Sequence, residues 1–110
     1  MSEELTIESI MNNTPKVFMP EAAKGVDAVV QFHFTGAQAS EWYVTIRDGK
    51  CSVDKGTSET PNMSMTIDGD NYVKIIKGEL NAMTAFMQGL VVVKGDMSLA
   101  MKFSQFFKMG

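Results

Sequence analysis

The sequence has few of the residues on which disulfide-bonded, metal-binding and membrane-spanning proteins depend. It contains one cysteine and one histidine among 110 residues, so it offers neither an intramolecular disulfide nor a metal site built on cysteine or histidine pairs. No apolar run approaches the roughly 20 residues that a membrane-spanning helix requires. The first residues, MSEELTIE, are acidic where a secretory or transit peptide would be basic. We therefore expect a cytoplasmic protein whose fold depends on packing alone.

Basic residues are sparse and scattered. Ten lysines and arginines stand against thirteen aspartates and glutamates, and no basic block or aromatic-basic stripe could neutralise a run of phosphates. Nucleic acid is therefore a poor candidate for a partner. The chain is 45% hydrophobic and 21% charged, a balance typical of a globular protein. Its length suits one compact domain, which we place over residues 1–110.

Recognisable catalytic motifs are missing as well. The sequence has no nucleophile elbow, phosphate-cradling glycine loop, dinucleotide fingerprint or metal-binding pair. We interpret His33 as a solvated strand residue and Cys51 as a core residue, because neither has an activating partner in the sequence pattern. A turn and a helix cap explain the neighbouring carboxylates Asp68 and Asp70. We expect no catalytic residue, no bound metal and no cofactor.

Methionine is the residue in excess. Ten are present, and methionine is flexible, polarizable and over-used at promiscuous apolar binding surfaces. Two explanations stay open at this point. The methionines either form a deformable binding cavity or reflect a compositional habit.

A period-two alternation predicts four consecutive strands between residues 28 and 68. Asp48-Gly49 is a strong hairpin signal between two of them, and we expect short turns and an antiparallel sheet with one polar face. The residues predicted to face inward are Phe32, Phe34, Trp42, Val44, Ile46, Met63 and Met65. Those predicted to face outward are His33, Tyr43, Thr45 and Arg47.

Helical periodicity surrounds this block of strands. A short helix opens the chain, two helices follow the fourth strand, and the β-branched run at 91–93 between Gly89 and Gly95 predicts a fifth strand. A last helix, from Met97 to about Met109, has one wide apolar face. Since only one face of the sheet is apolar, helices should cover that face, and the fold class is α+β. The predicted helix N-caps are Thr6, Asp70, Asn81 and Asp96.

The stretch AFMQGLVVVKGDMSLAMKF closely resembles the signature of the sterol carrier protein 2 family. In that family a glycine leads into a short strand, and a Gly-Asp or Gly-Asn pair, a methionine and a Leu-Ala dipeptide then open the last helix. The tryptophan in the second strand, the Asp-Gly-Lys turn and a glycine before the third helix also match. The resemblance therefore spans nearly the whole chain. The residues that carry it are Trp42, Asp48, Gly49, Lys50, Gly78, Asn81, Gly89, Gly95, Asp96, Met97, Leu99 and Ala100.

The resemblance implies a five-stranded, mostly antiparallel sheet with helices covering one face and enclosing an apolar tunnel. That tunnel would take fatty acyl chains, acyl-CoA, phospholipid or sterol, with transient membrane contact and without catalysis. The sequence ends in Lys-Met-Gly rather than in a peroxisomal tripeptide. The residues expected to line the tunnel are Phe32, Trp42, Val44, Met65, Ile76, Met83, Phe86, Met87, Gln88, Val92, Met97, Met101, Phe103 and Phe106.

Specific roles follow for a few of these residues. Gln88 is expected either to bind a ligand head group or to face water at a helix end. The last helix is expected to be a wall and movable lid of the tunnel, with Met101 and Phe103 nearest the ligand. An empty tunnel of about 300 Å³ would cost on the order of 7 kcal/mol, so the ligand-free form should be collapsed, wet or filled with lipid.

Three other functions stay open beside that of a free lipid carrier. The domain could be an interaction or dimerisation module with a closed core. It could be an accessory domain that presents lipid to an enzyme. It could also be an enzyme with a cryptic site around His33 or Cys51.

Overall fold

A computed structural model describes residues 6–107 and has the predicted α+β architecture. Helices and strands alternate in blocks, with short 3₁₀ turns between some of them. The elements are α1 (Ile7–Asn13), a 3₁₀ turn (Thr14–Val17), β1 (Ala28–Thr35), a 3₁₀ turn (Gly36–Gln38), β2 (Ser40–Arg47), β3 (Lys50–Lys55), β4 (Met63–Asp68), α2 (Gly69–Lys77), α3 (Ala82–Met87), β5 (Val91–Gly95), α4 (Met97–Phe103) and a 3₁₀ turn (Ser104–Phe106). None of the helices described is long and apolar enough to cross a membrane.

The five strands form one sheet in the order β3-β2-β1-β4-β5. Three pairs are antiparallel, but β4 lies parallel to β1. We expected short turns between all four strands of this block, and this expectation is wrong before β4. Residues 56–62 instead carry the polypeptide from β3 past β2 to the far side of β1. Asn62 fixes this position, since its side chain accepts from the Val29 N–H and its own N–H donates to the Val29 carbonyl, both at 2.8 Å.

The predicted register of the strands is confirmed. Phe32 lies opposite Trp42 on β2 and opposite Met65 on β4, so all three side chains share one face of the sheet. Trp42 is 5% exposed and Arg47 is exposed. A slip of one residue would reverse these assignments, so the alternation in the sequence was sufficient to define the inner face.

Three of the four predicted helix caps are confirmed. Thr6 and Ser9 form a reciprocal capping box on α1, the Asn81 side chain caps α3, and the Asp96 carboxylate accepts from the Leu99 N–H at 3.0 Å. The prediction of Asp70 is wrong, because α2 begins directly after β4 without a loop. The last residue of the strand, Asp68, is therefore the cap of α2 and accepts from the Asp70 N–H at 2.9 Å.

The last helix is shorter than predicted. It ends at Phe103, the chain tightens into the 3₁₀ turn, and Phe107 is extended and forms an isolated antiparallel bridge with Phe18. Met109, the predicted end, lies outside the residues that the structure describes. Pairing with Phe18 requires extended backbone at Phe107, which a continuing helix would not allow.

Gln31 is 1% exposed although it lies on the outer, polar face of the sheet. Its side-chain NH₂ donates to the carbonyls of Trp42 and Gly56, each at 3.0 Å, and its oxygen accepts from the Ser58 N–H at 2.7 Å. The segment that crosses from β3 to β4 therefore covers Gln31 and is fastened by it. Alternation with Phe32 places Gln31 on the polar side of the strand but gives no indication that it is buried.

We predict that Gln31→Leu, which keeps the volume but removes the amide, lowers the free energy of unfolding by about 2 kcal/mol, because buried polar partners lose their hydrogen bonds. Thr45→Val, a half-buried position on the same face, should change it by less than about 0.5 kcal/mol. Urea denaturation of both variants measures the difference. Equal effects would show that Gln31 does not hold the crossing segment.

Candidate functional site

A group of touching aromatic rings fills the space between the sheet and the helices. The ring centroid of Phe32, on the inner face of β1, lies 5.5 Å from that of Phe34, 5.7 Å from that of Tyr72 and 5.6 Å from that of Phe103. The tilted and edge-on arrangements are those that aromatic pairs prefer. We call this group the aromatic cluster; its members are Phe18, Phe32, Phe34, Tyr72, Phe103, Phe106 and Phe107.

The C-terminal segment, defined here as residues 97–107, forms one wall of the cluster. The ring of Phe103 lies 5.0 Å from that of Phe107, which in turn lies 5.7 Å from that of Phe18. The Met19 N–H donates to the Phe106 carbonyl at 2.7 Å, beside the bridge between Phe18 and Phe107. Aromatic contacts and a short stretch of backbone pairing therefore hold this wall against the rest of the domain.

The residues expected to line a tunnel divide into two sets. Half of the chain's candidate positions lie in or beside the packed interior, whereas the other half lie on the surface. The interior set comprises Phe32, Trp42, Val44, Phe103 and Phe106, which are buried, and Met65 and Ile76, which are partly buried against the core. The exposed set comprises Met83, Phe86, Met87, Gln88, Val92, Met97 and Met101.

Helix α4 carries residues of both sets, because it is apolar on its buried side and on its exposed side. Leu99 and Phe103 are buried, whereas Met97 and Met101, one turn apart, are exposed, Met101 by 67%. Phe103 thus contacts the aromatic cluster, and Met101 points away from it. Both residues were expected nearest the ligand, and the structure does not bring them together.

Val92 and Gln88 also lie apart from the aromatic cluster. Val92 pairs with Thr66 and is on the outer face of the sheet, whereas Val91 and Val93 face inward. Gln88 is the exposed C-cap residue of α3, and its backbone N–H donates to the Thr84 carbonyl at 3.0 Å. A head-group contact by Gln88 stays a prediction.

Four members of the aromatic cluster were absent from the expected set: Phe18, Phe34, Tyr72 and Phe107. Alternation with Phe32 could have identified Phe34 as a member of the site, and helical spacing with Ile76 could have identified Tyr72. The contact between Phe18 and Phe107, by contrast, joins residues that are far apart in the sequence. Periodicity carries no information about such a contact.

The candidate nucleophile, Cys51, and the candidate base, His33, lie on opposite faces of the sheet. Cys51 pairs with Ile46 on the inner face, and burial raises the pKa of its thiol to about 11. His33 is on the outer face, where its Nδ1 lies 2.6 Å from the Oε1 of Glu41. The sheet therefore separates the thiol from the imidazole. Among residues 6–107, no group of three histidines, cysteines or acidic residues could hold a metal ion.

A cleft of about 290 Å³ is lined by residues that do not belong to the aromatic cluster. It includes none of the predicted ligand-lining residues and is half-open to solvent. An acyl chain placed there would keep much of its surface in water, so the cleft does not suit an apolar ligand. Its lining residues are Pro20, Lys24, Gly25, Val26, Asp27, Asp48 and Gly49.

Residues 8–108 match the sequence profile of the SCP-2 sterol transfer family. The protein belongs to this family. The SCP-2 fold agrees with the observed layers, in which one face of a five-stranded sheet packs against α2 and α4. The resemblance recognised in residues 85–103 is thereby confirmed over nearly the whole chain.

Similar proteins include both separate domains and parts of larger chains. Hydroxysteroid dehydrogenase-like protein 2 of Xenopus tropicalis is 32% identical over 97 residues, which are 87% of this chain and 22% of that protein. Palmitated SCP2L2 from Aedes aegypti is 24% identical with a TM-score of 0.77, covering 92% of this chain and 93% of the other. A stereoselective inverting sec-alkylsulfatase from Pseudomonas sp. has a TM-score of 0.79 at 19% identity, over 96% of this chain and 17% of that enzyme.

The separation of the two sides of α4 can be tested by truncating one residue on each. Phe103→Ala should lower the free energy of unfolding by about 3–5 kcal/mol, the usual loss for a buried phenylalanine. Met101→Ala should change it by less than about 0.5 kcal/mol, because the methionine is exposed. Urea denaturation measures both, and Phe103→Leu replaces Phe103→Ala if the latter does not fold. Equal losses at the two positions would contradict the structure.

Proposed function

We propose that this domain is a non-catalytic lipid carrier that holds an apolar chain between the sheet and the C-terminal segment. The aromatic cluster supports this most directly, since it is an apolar interior with one wall attached largely through ring contacts. The residues proposed to contact the apolar chain of the ligand are Phe32, Phe103 and Phe106. Membership of the SCP-2 sterol transfer family supports the same function.

The energetics allow binding without a charged partner in the interior. Transfer of a sixteen-carbon chain from water gains about 12 kcal/mol gross, at about 0.8 kcal/mol per methylene. Micromolar affinity requires about 8 kcal/mol. The difference can offset the loss of freedom on association and the displacement of aromatic side chains.

We propose that the packed interior is the collapsed form of the domain, one of the forms expected from the cost of an empty tunnel. Phe32 is 1% exposed and Phe106 is 2% exposed, so an entering chain must displace the wall rather than fill a ready cavity. Among residues 6–107, the bridge of Phe18 with Phe107 and the hydrogen bond from the Met19 N–H to the Phe106 carbonyl join the wall to the segment after α1, and this movement would break them. We propose that the C-terminal segment moves away from Phe18 when lipid enters.

A fatty acyl chain is the ligand class with most support. A structural neighbour of the same fold is described as palmitated SCP2L2, and ligand and interior would both be apolar. Sterol, phospholipid and acyl-CoA are the other ligands that the family resemblance implies. The expected cytoplasmic location belongs to this proposal and is supported by the single, unpaired cysteine.

A second candidate function is that of an accessory domain that presents lipid to an enzyme. The chain spans about a fifth of the hydroxysteroid dehydrogenase-like relative that it matches. Lipid would bind between the same sheet and wall in either case. The two functions therefore differ in the partner that receives the lipid.

The proposal predicts that locking the C-terminal segment to the segment after α1 prevents lipid binding. Phe18 and Phe107 are bridge partners, and such pairs have Cα atoms about 4.5–5.5 Å apart, within the range of a disulfide. We therefore combine Phe18→Cys with Phe107→Cys in a Cys51→Ser background. Titration with fluorescently labelled palmitate, before and after reduction, measures binding by the same molecule in locked and free forms.

Wild type and the reduced variant should bind with micromolar affinity, and the oxidised variant should bind at least tenfold more weakly, a difference of about 1.4 kcal/mol. Wild type with and without reductant is the control. No palmitate binding by wild type would overturn the carrier function. Equal affinity of the oxidised and reduced variants would retain the carrier but overturn the moving wall.

A further inference from the structure

Tyr72 brings a hydroxyl into the aromatic cluster, whose other members are all phenylalanines. It lies on α2, one turn after the cap Asp68. Its ring centroid is 5.7 Å from that of Phe32 and 5.1 Å from that of Phe34. Both phenylalanines are buried, whereas Tyr72 is half-buried. The ring of Tyr72 therefore packs as an apolar group and carries one polar atom to the cluster.

The Tyr72 hydroxyl forms no hydrogen bond within residues 6–107. In the same range, every fully buried side-chain nitrogen or oxygen has a partner, so this hydroxyl lies at the margin of the interior. Burial raises its pKa above the ordinary value, and it is therefore protonated at neutral pH and can donate. A tyrosine packed in an apolar interior usually finds a partner for its hydroxyl.

The donors of the buried residues are already engaged. The Trp42 Nε1 donates to the Ser40 hydroxyl at 3.0 Å, and the Thr14 hydroxyl donates to a backbone carbonyl one turn earlier at 2.8 Å. Gln31 is bonded on the outer face of the sheet. All lysines and arginines among residues 6–107 are exposed, so no buried cation is present there for a charged head group. Tyr72 thus differs from these residues in having a donor that is not engaged.

We propose that the Tyr72 hydroxyl donates a hydrogen bond to an oxygen of the head group of the bound lipid. This inference rests on the proposed lipid-carrier function and names the ligand class within it. The class comprises apolar molecules with a small oxygen-bearing end: an alcohol, a carboxyl or an ester group. Phe32 contacts both Tyr72 and Phe103, so the apolar part would extend from Tyr72 across Phe32 toward the C-terminal segment.

One such hydrogen bond would determine selectivity and orientation more than overall affinity. Burial of the alkyl chain supplies most of the binding free energy, and the net effect of one hydrogen bond is about a twofold to tenfold change in affinity. A ligand of the same length without oxygen would cover the hydroxyl and leave it without a partner. Sites that bind a ligand oxygen discriminate against analogues that lack it for this reason.

Competition with fluorescently labelled palmitate, using ligands that share one alkyl chain, tests the proposal. Hexadecan-1-ol, methyl palmitate and palmitate each present an oxygen acceptor, whereas hexadecane presents none. Tyr72→Phe removes the hydroxyl and keeps the ring. Tyr43→Phe is the matched control, because Tyr43 is the other tyrosine of the chain and lies half-buried on the outer face of the sheet, opposite Gln31.

Tyr72→Phe should weaken the binding of hexadecan-1-ol, methyl palmitate and palmitate by about fivefold to tenfold. Its affinity for hexadecane should stay within about twofold of wild type, and the difference between the ligands isolates the hydrogen bond from the packing of the ring. Tyr43→Phe should bind all four ligands like wild type. The urea midpoint of ligand-free Tyr72→Phe should equal that of wild type, because the hydroxyl has no protein partner to lose.

Three results would overturn the role of the Tyr72 hydroxyl. Equal weakening of all four ligands by Tyr72→Phe would show that Tyr72 only shapes the interior. Unchanged binding of all four would show that it does not contact the head group, and a lowered urea midpoint would show that the hydroxyl has a structural partner. A loss confined to one oxygen-bearing ligand would support the contact and narrow the ligand class. Absence of binding of all four ligands to wild type would instead contradict the carrier function.

Discussion

The contact between Phe103 and Phe32, with ring centroids 5.6 Å apart, joins the two layers of the domain. Phe32 belongs to the central strand of the sheet, and Phe103 ends α4. Through Phe107 the same group of rings extends to Phe18, near the other end of the described chain. The position of the C-terminal segment and the closure of the interior depend on this contact.

Helix α4 has one side in an interior suited to an acyl chain and another side that is apolar and exposed. Its inward residue Phe103 packs in the aromatic cluster, while Met101, two positions earlier, is exposed. A movement of this one helix would therefore change both the interior and the exposed apolar surface. Methionine suits both environments because its side chain is flexible and polarizable.

Local patterns predicted the elements and the inner face of the sheet, because alternation places Phe32 and Trp42 on one side whatever the strand order. They did not predict that β4 lies parallel to β1, since this depends on the hydrogen bonds of Asn62 with Val29. The candidate site was predicted in part. Helical spacing identified the apolar residues of α3 and α4, but when both sides of a helix are apolar, spacing cannot tell which side is buried. The burial of Gln31 and the meeting of Phe18 with Phe107 likewise result from contacts between distant segments.

We propose that lipid lies between the sheet and the C-terminal segment, against the rings of Phe32 and Phe103. The most direct measurement is nuclear magnetic resonance of the protein with ¹³C-labelled palmitate, recording nuclear Overhauser effects between the acyl chain and protein side chains. We expect effects from the methylenes of the acyl chain to the ring protons of Phe32, Phe103 and Phe106. Effects confined to the methyl groups of exposed residues such as Met87 and Met101, with no change at the aromatic rings, would contradict it.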